Sequence, residues 1–153
     1  DQLWVTGRLG GSLCGHHLDF QPRLEEAWWL SEQNGVSAAM DISDGLSIDL
    51  PRLAKASGCG AIVFAEKVPI SDDAVTLHNR DGTSPLRHAL DDGEDFELLL
   101  AISPERSASI ENQWPFRTPW THIGHLQGLE CGLQLCDATG DRRPLEPAGF
   151  LHQ

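Results

Sequence analysis

The chain has 153 residues, enough for one domain with a substantial core, and its 40% hydrophobic and 22% charged content is that of an ordinary globular protein. Its 23 acidic against 11 basic residues give a net charge of −12, which argues against a nucleic-acid backbone as partner but leaves phosphorylated ligands open through magnesium. No apolar run reaches the length of a membrane span, and Cys14, Cys59, Cys131 and Cys136 form no CxxC pair, so reduced thiols are expected rather than disulfides or zinc.

Leu3-Trp4-Val5-Thr6 has strand character and runs into a turn at Gly7, Gly10 and Gly11, and this opening is not expected to be a signal peptide. The missing initiator methionine suggests that Asp1 is a cut or processed end. Residues 12–18 are expected to form a short helix carrying His16 and His17, a pair more often found on surfaces than on phosphates. Residues 22–33 are expected to form a second helix, with Pro22 in its first turn and Leu24, Ala27, Trp28 and Trp29 toward the core. Asn34-Gly35 is a natural stop.

Val36-Ser37-Ala38-Ala39-Met40 reads as a buried strand leading into the acidic turn Asp41-Ile42-Ser43-Asp44-Gly45-Leu46. A helix follows, with Leu46, Leu50, Leu53 and Ala54 at helical spacing and Gly58 at its end. Pro51 fits only if that helix starts late, near Ser47 or Asp49. Ala61-Ile62-Val63-Phe64-Ala65 is a strand. Residues 70–85 look too short for a full helix, and Asn79-Arg80-Asp81-Gly82 is expected to be a loop. A helical fragment at 86–90 precedes the dense acidic turn Asp91-Asp92-Gly93-Glu94-Asp95, and residues 96–102 read as a buried strand. Ser103-Pro104-Glu105 starts a helix, and strands are expected at 121–124 and 132–137. Together these predict an α/β (α+β) layer structure with a mixed β-sheet.

Both acidic turns are candidates for chemistry. Asp41 and Asp44 flank a tight turn at a strand end, where ligands of α/β sheets commonly sit. Two such carboxylates repel unless a cation or proton lies between them, and Ser43 can donate to a phosphate. The competing reading is that Ser43 or Asp44 caps the helix. At the second turn Glu94 or Asp95 can accept a hydrogen bond, and an amino-bearing heterocycle would suit; a solvated turn is the alternative. Gly149-Phe150 reads as a packed terminus or a ligand stack. There is no Ser-His-Asp arrangement and no Walker-type loop.

Met40-Asp41-Ile42-Ser43-Asp44-Gly45-Leu46, Asp49-Leu50, the stretch 54–61 and Gly93-Glu94-Asp95-Phe96-Glu97-Leu98-Leu99 closely resemble the thiamine-monophosphate kinase family, specifically its carboxyl-terminal domain. Val5-Thr6-Gly7-Arg8-Leu9-Gly10, Gln21-Pro22-Arg23, Ile123-Gly124 and Gly149-Phe150 agree in order, so the resemblance covers nearly the whole chain. Aminoimidazole ribonucleotide synthetase, selenophosphate synthetase and a hydrogenase maturation factor share the superfamily, but Ser43-Asp44-Gly45 favours the kinase.

The resemblance implies transfer of a phosphoryl group from ATP to thiamine monophosphate in the cytoplasm, with Mg2+. It implies magnesium ligands at Asp41 and Asp44, an ATP contact at Ser43, and substrate contacts at Glu94 and Phe150. It also implies a homodimeric two-domain protein whose amino-terminal domain holds most nucleotide and metal ligands, so residues 1–153 alone are expected to be nearly inactive. No nucleic-acid or membrane partner is implied. The alternatives are another ATP-dependent enzyme of the superfamily or a diverged, non-catalytic binding domain. The sequence departs from the family at Asp92, where glycine is usual, and at Gln153, where the tail usually continues with an aromatic residue.

Overall fold

Alternation along the strand β1 (Gln2–Thr6) sets the architecture. Leu3 and Val5 face one buried layer while Trp4 faces another, as the two-residue period of a strand requires. In the computed structural model, which describes residues 1–14 and 20–148, this strand lies near the middle of a seven-stranded sheet. The other strands are β2 (Val36–Asp41), β3 (Gly60–Phe64), β4 (Leu98–Ile102), β5 (Trp120–Gln127), β6 (Leu133–Cys136) and β7 (Arg142–Pro144), ordered β2-β4-β1-β5-β3-β6-β7. Only β3 and β6 pair in parallel; every other neighbouring pair is antiparallel. The mixed α/β (α+β) sheet is as expected.

One face of the sheet packs Leu3, Val5, Leu99 and Ile123 against Leu46, Leu50 and Leu53 of α2 (Leu46–Ala56) and Ala89 and Leu90 of α4 (Pro85–Asp91). The other face packs Trp4, Leu100 and Ile102 against Leu30 of α1 (Leu24–Ser31) and Ile110 of α5 (Pro104–Gln113). Trp120 extends that second layer, stacking on Trp4 at 5.1 Å and on Trp114 at 4.6 Å between ring centroids.

Several local expectations need correction. Helix α1 starts at Leu24, so Pro22 lies outside it, and Leu24 and Trp28 are 72% and 73% exposed. Glu26 takes the buried position instead, because Arg23 lies 3.9 Å away and the Thr118 hydroxyl donates to it at 2.6 Å. Strand β2 is half-buried, since it is an edge strand with one face in the core. Helix α2 starts at Leu46, before the expected position, so Pro51 sits inside it; the helix does without the one backbone bond that a proline cannot donate.

Residues 79–81 belong to a full helix, α3 (Asp72–Asp81), whose start is capped by the Ser71 hydroxyl accepting the Ala74 N–H at 3.0 Å. Phe96 and Glu97 precede β4 rather than belonging to it. A single 3-10 turn covers Ser12–Cys14; the remainder of the helix expected there, with His16 and His17, lies outside the described residues. Among the described residues, no helix is long and apolar enough to cross a membrane.

Candidate functional site

The two acidic turns are adjacent because the β2–β4 pairing continues past both strands. Asp41 pairs with Leu98 at the end of the ladder. Beyond it the Ile42 N–H donates to the Glu97 carbonyl at 2.8 Å, and the Phe96 N–H donates to the Ile42 carbonyl at 2.9 Å. The Glu94 N–H then donates to the Ser43 carbonyl at 2.7 Å. Gly93 lets the two turns touch: a Cβ there would stand 2.8 Å from the Ser43 carbonyl oxygen. Gly45 has φ 100° and abuts the Asp91 carbonyl, a conformation and a space that only glycine fits without strain.

Asp49 shapes the first turn. Its side chain is fully buried and its Oδ2 accepts the N–H groups of Ser43 at 2.8 Å and Asp44 at 2.9 Å. The N-cap position of α2 is Gly45, which makes no side-chain capping bond. Arg52 Nη1 lies 2.7 Å from Asp49 Oδ1 and 2.5 Å from Asp44 Oδ2. These bonds, first that to Asp44 and then that to Asp49, raise the guanidinium pKa above its ordinary value. Asp41 is exposed at the strand end, and Ser43 and Asp44 are partly exposed.

The second turn is fastened to the glycine turn after β1. Gly10 N–H donates to Asp95 Oδ1 at 2.9 Å, Gly11 N–H to Asp92 Oδ2 at 2.8 Å, and the Ser12 hydroxyl to the Gly93 carbonyl at 2.5 Å. Asp92 also meets His88 Nδ1 at 3.1 Å, so it joins α4 to the glycine turn. Burial lowers the His88 pKa, but hydrogen bonding and attraction to Asp92 and Asp81 outweigh it and the net shift is upward. Burial pushes the Asp95 carboxyl up to about 8; the Gly10 N–H opposes this, and Asp92 and Glu97 add to it. Among the described residues, Asp95 Oδ2 has no hydrogen-bond partner.

Behind the turn, Glu97 is held by a buried polar network. Arg23 Nε donates to Glu97 Oε2 at 2.7 Å and Arg23 Nη2 to Oε1 at 2.6 Å, a two-point pair. The Thr6 hydroxyl donates to Oε2 at 2.7 Å and accepts the Leu98 N–H at 2.8 Å. Arg23, Asp95 and Glu97 line a cleft of about 270 Å³ with Gly7 and Gly10.

Glu94 itself is exposed and has φ 64°, and Phe96 has φ 51°. Such values are unfavourable for residues with a side chain, and strain of this kind gathers at functional turns.

Of the expected site residues, Asp41, Ser43, Asp44 and Glu94 therefore belong to two touching turns, while Phe150 lies outside the described residues. The last described residue, Ala148, donates its N–H to the Ser47 hydroxyl at 3.4 Å. Among the described residues, no three of His, Cys, Asp and Glu converge as a metal cage. The organising roles of Asp49, Glu97, Arg23 and Thr6 are not apparent from the sequence. The available signal was an acid in the first turn of a predicted helix, and an acid beginning an apolar run.

The chain belongs to the family described as AIR synthase related protein, C-terminal domain, which matches residues 13–127. Within that class, its relatives include a thiamine-monophosphate kinase of Rhodopirellula baltica, 44% identical over 152 residues, covering 99% of this chain and 48% of that protein. A thiamine-monophosphate kinase of Aquifex aeolicus is 33% identical over 170 residues, covering 99% of this chain and 51% of the relative. A solved structure of AaThiL complexed with AMPPCP and TMP superposes with a TM-score of 0.79 at 28% identity, over 100% of this chain and 51% of that one. E. coli HypE shares the fold at 20% identity, with a TM-score of 0.75 over 98% of this chain and 50% of that one. The chain thus spans about half the length of the curated relatives it matches.

Proposed function

We propose that this chain supplies one wall of a site that transfers a phosphoryl group from ATP to thiamine monophosphate, giving thiamine diphosphate and ADP. The observation that carries this reading is the contact between the turns: the Ser43 carbonyl accepts the Glu94 N–H at 2.7 Å. It brings the residue proposed to touch ATP against the residue proposed to touch the acceptor. The relatives named as thiamine-monophosphate kinases, and the related structure with AMPPCP and TMP, support the same pair of ligands.

In this proposal the Ser43 hydroxyl donates to the nucleotide, Glu94 accepts from the acceptor, and Phe150 lies beside it. Phosphoryl transfer needs alignment and charge neutralisation more than covalent help from the protein. Alignment comes from Asp49, which holds the Ser43 and Asp44 backbone, and from Asp92 and Asp95, which hold the second turn. Bound Mg2+ supplies charge neutralisation.

The residues present suit that ion. Mg2+ is bound through one or two carboxylates plus water and phosphate oxygens rather than by a full protein cage. Asp41 is exposed, and Asp44 already accepts a cationic partner in Arg52. Asp41 and Asp44 would hold it.

The proposed setting is a cytoplasmic, homodimeric protein with a further amino-terminal domain contributing the rest of the site. The 153 residues alone would then turn over poorly. An ADP-release assay tests this on the protein at the full length of its relatives and on the 153 residues. The reading expects release that depends on thiamine monophosphate and on the additional half. Release indifferent to thiamine monophosphate would favour another ATP-dependent reaction.

A further inference from the structure

We infer that Arg52 is a built-in competitor of the divalent ion, a tethered cation that neutralises Asp44 until the ion displaces it. This rests on the proposed metal role of Asp44.

The geometry is that of a cation bridging two carboxylates. A single nitrogen, Nη1, lies 2.5 Å from Asp44 Oδ2 and 2.7 Å from Asp49 Oδ1. The two acids differ sharply in setting. The Asp49 side chain is fully buried and spends its other oxygen on the Ser43 and Asp44 N–H groups. The Asp44 side chain is 15% exposed, and the arginine side chain that reaches it is 53% exposed. The Asp49 contact is therefore the anchor, and the Asp44 contact is the one that solvent and ions can reach. An exposed arginine–carboxylate pair contributes little net stability, so a divalent ion can displace it. Because Asp49 still holds the arginine, the displaced guanidinium stays near the ion and opposes it. Arg52 thus weakens ion binding at this turn and keeps Asp44 neutralised, with the turn in shape, before the ion arrives.

Mn2+ broadening of backbone amide NMR signals in the 153-residue chain tests this independently of catalysis. In the wild-type chain, Mn2+ is expected to broaden the Ser43, Asp44 and Gly45 signals. Asp44→Asn is expected to abolish that broadening. Arg52→Gln is expected to lower the Mn2+ concentration for half-broadening by about 3- to 10-fold, the size of one weakly screened charge contact. Arg52→Lys, which keeps the charge, is expected to remain close to wild type.

If Asp44→Asn abolishes broadening while Arg52→Gln leaves the midpoint unchanged or raised, the competition is overturned and the metal role stands. If Asp44→Asn leaves broadening intact, the metal role and the competition fall together. A second readout in the wild-type chain needs no Arg52 variant. During a Mg2+ titration the Arg52 Nε–H resonance should shift with the same midpoint as the Ser43 and Asp44 amides. A stationary Arg52 signal while those amides move would overturn the inference.

Discussion

The backbone carbonyl of Ser43 accepts the N–H of Glu94 at 2.7 Å, joining two acidic turns that lie far apart in the sequence. The contact extends the β2–β4 ladder by a few residues beyond its last regular pair, Asp41 with Leu98. Ordinary strand pairing therefore fixes the spacing between the proposed nucleotide and acceptor contacts. Three further carboxylates, Asp49, Asp92 and Asp95, set the shape of the turns by accepting backbone N–H groups.

Asp49 accepts the N–H groups of Ser43 and Asp44 in a partly buried turn. Asp49→Ala is expected to cost about 2–4 kcal/mol, the penalty for stranding buried donors and removing a paired charge. Urea denaturation measures it. A midpoint within error of wild type would show that the turn keeps its shape without this carboxylate.

Arg23 neutralises Glu97, whose side chain is only 3% exposed. Arg23→Met leaves that charge buried without its cationic partner and is expected to cost about 3–5 kcal/mol. Adding Glu97→Gln removes the uncompensated charge, so the double variant should be more stable than Arg23→Met alone. Additive losses across the cycle would argue against direct coupling.

Glu94 carries positive φ at an exposed position. Glu94→Gly relieves that backbone and is expected to stabilise the chain by about 1 kcal/mol while weakening acceptor binding. Thermal unfolding and the KM for thiamine monophosphate report the two effects separately. Loss of stability would mean that the Glu94 side chain contributes to the fold.

Asp95 is expected to make stability decline as pH rises from weakly acidic to weakly basic. Asp95 keeps its proton in the fold up to about 8, whereas the unfolded chain releases it near its ordinary value of about 3.9. The unfolded state then binds fewer protons, so stability falls between those values and levels off above them. His88 acts in the same direction. Its raised pKa gives stability below the ordinary histidine range, and this is lost as the folded group deprotonates. Asp95→Asn should flatten the dependence of the urea midpoint on pH between about 4 and 8, the window set by the ordinary and the folded values of this group. An unchanged slope in that variant would contradict the assignment to Asp95.

The sequence made the acidic turns legible because Asp-x-Ser-Asp-Gly and Gly-Glu-Asp are local chemical patterns. It did not show that Ser43 and Glu94 touch, since pairing register depends on residues distant along the chain. Helix periodicity placed α1 approximately but not its faces. Trp28 points outward because Glu26, supported by Arg23 and Thr118, occupies the buried position. Helix α3 was missed because Asn79-Arg80-Asp81-Gly82 has the composition of a loop, while its start depends on one side-chain bond, from Ala74 N–H to Ser71. Asp49 and Glu97 stood in plain view as acids, but only the fold shows which donors they satisfy.

The two turns are proposed to divide one reaction between them, and steady-state kinetics of paired variants in the protein at its relatives' length test this most directly. Glu94→Gln should raise the KM for thiamine monophosphate about 10- to 100-fold, the worth of a charged hydrogen bond, with the Mg2+ dependence unchanged. Asp44→Asn should move the Mg2+ dependence to higher concentration and lower kcat, with the KM for thiamine monophosphate little changed. Wild-type kinetics in both variants, or identical defects in both, would contradict the division of roles.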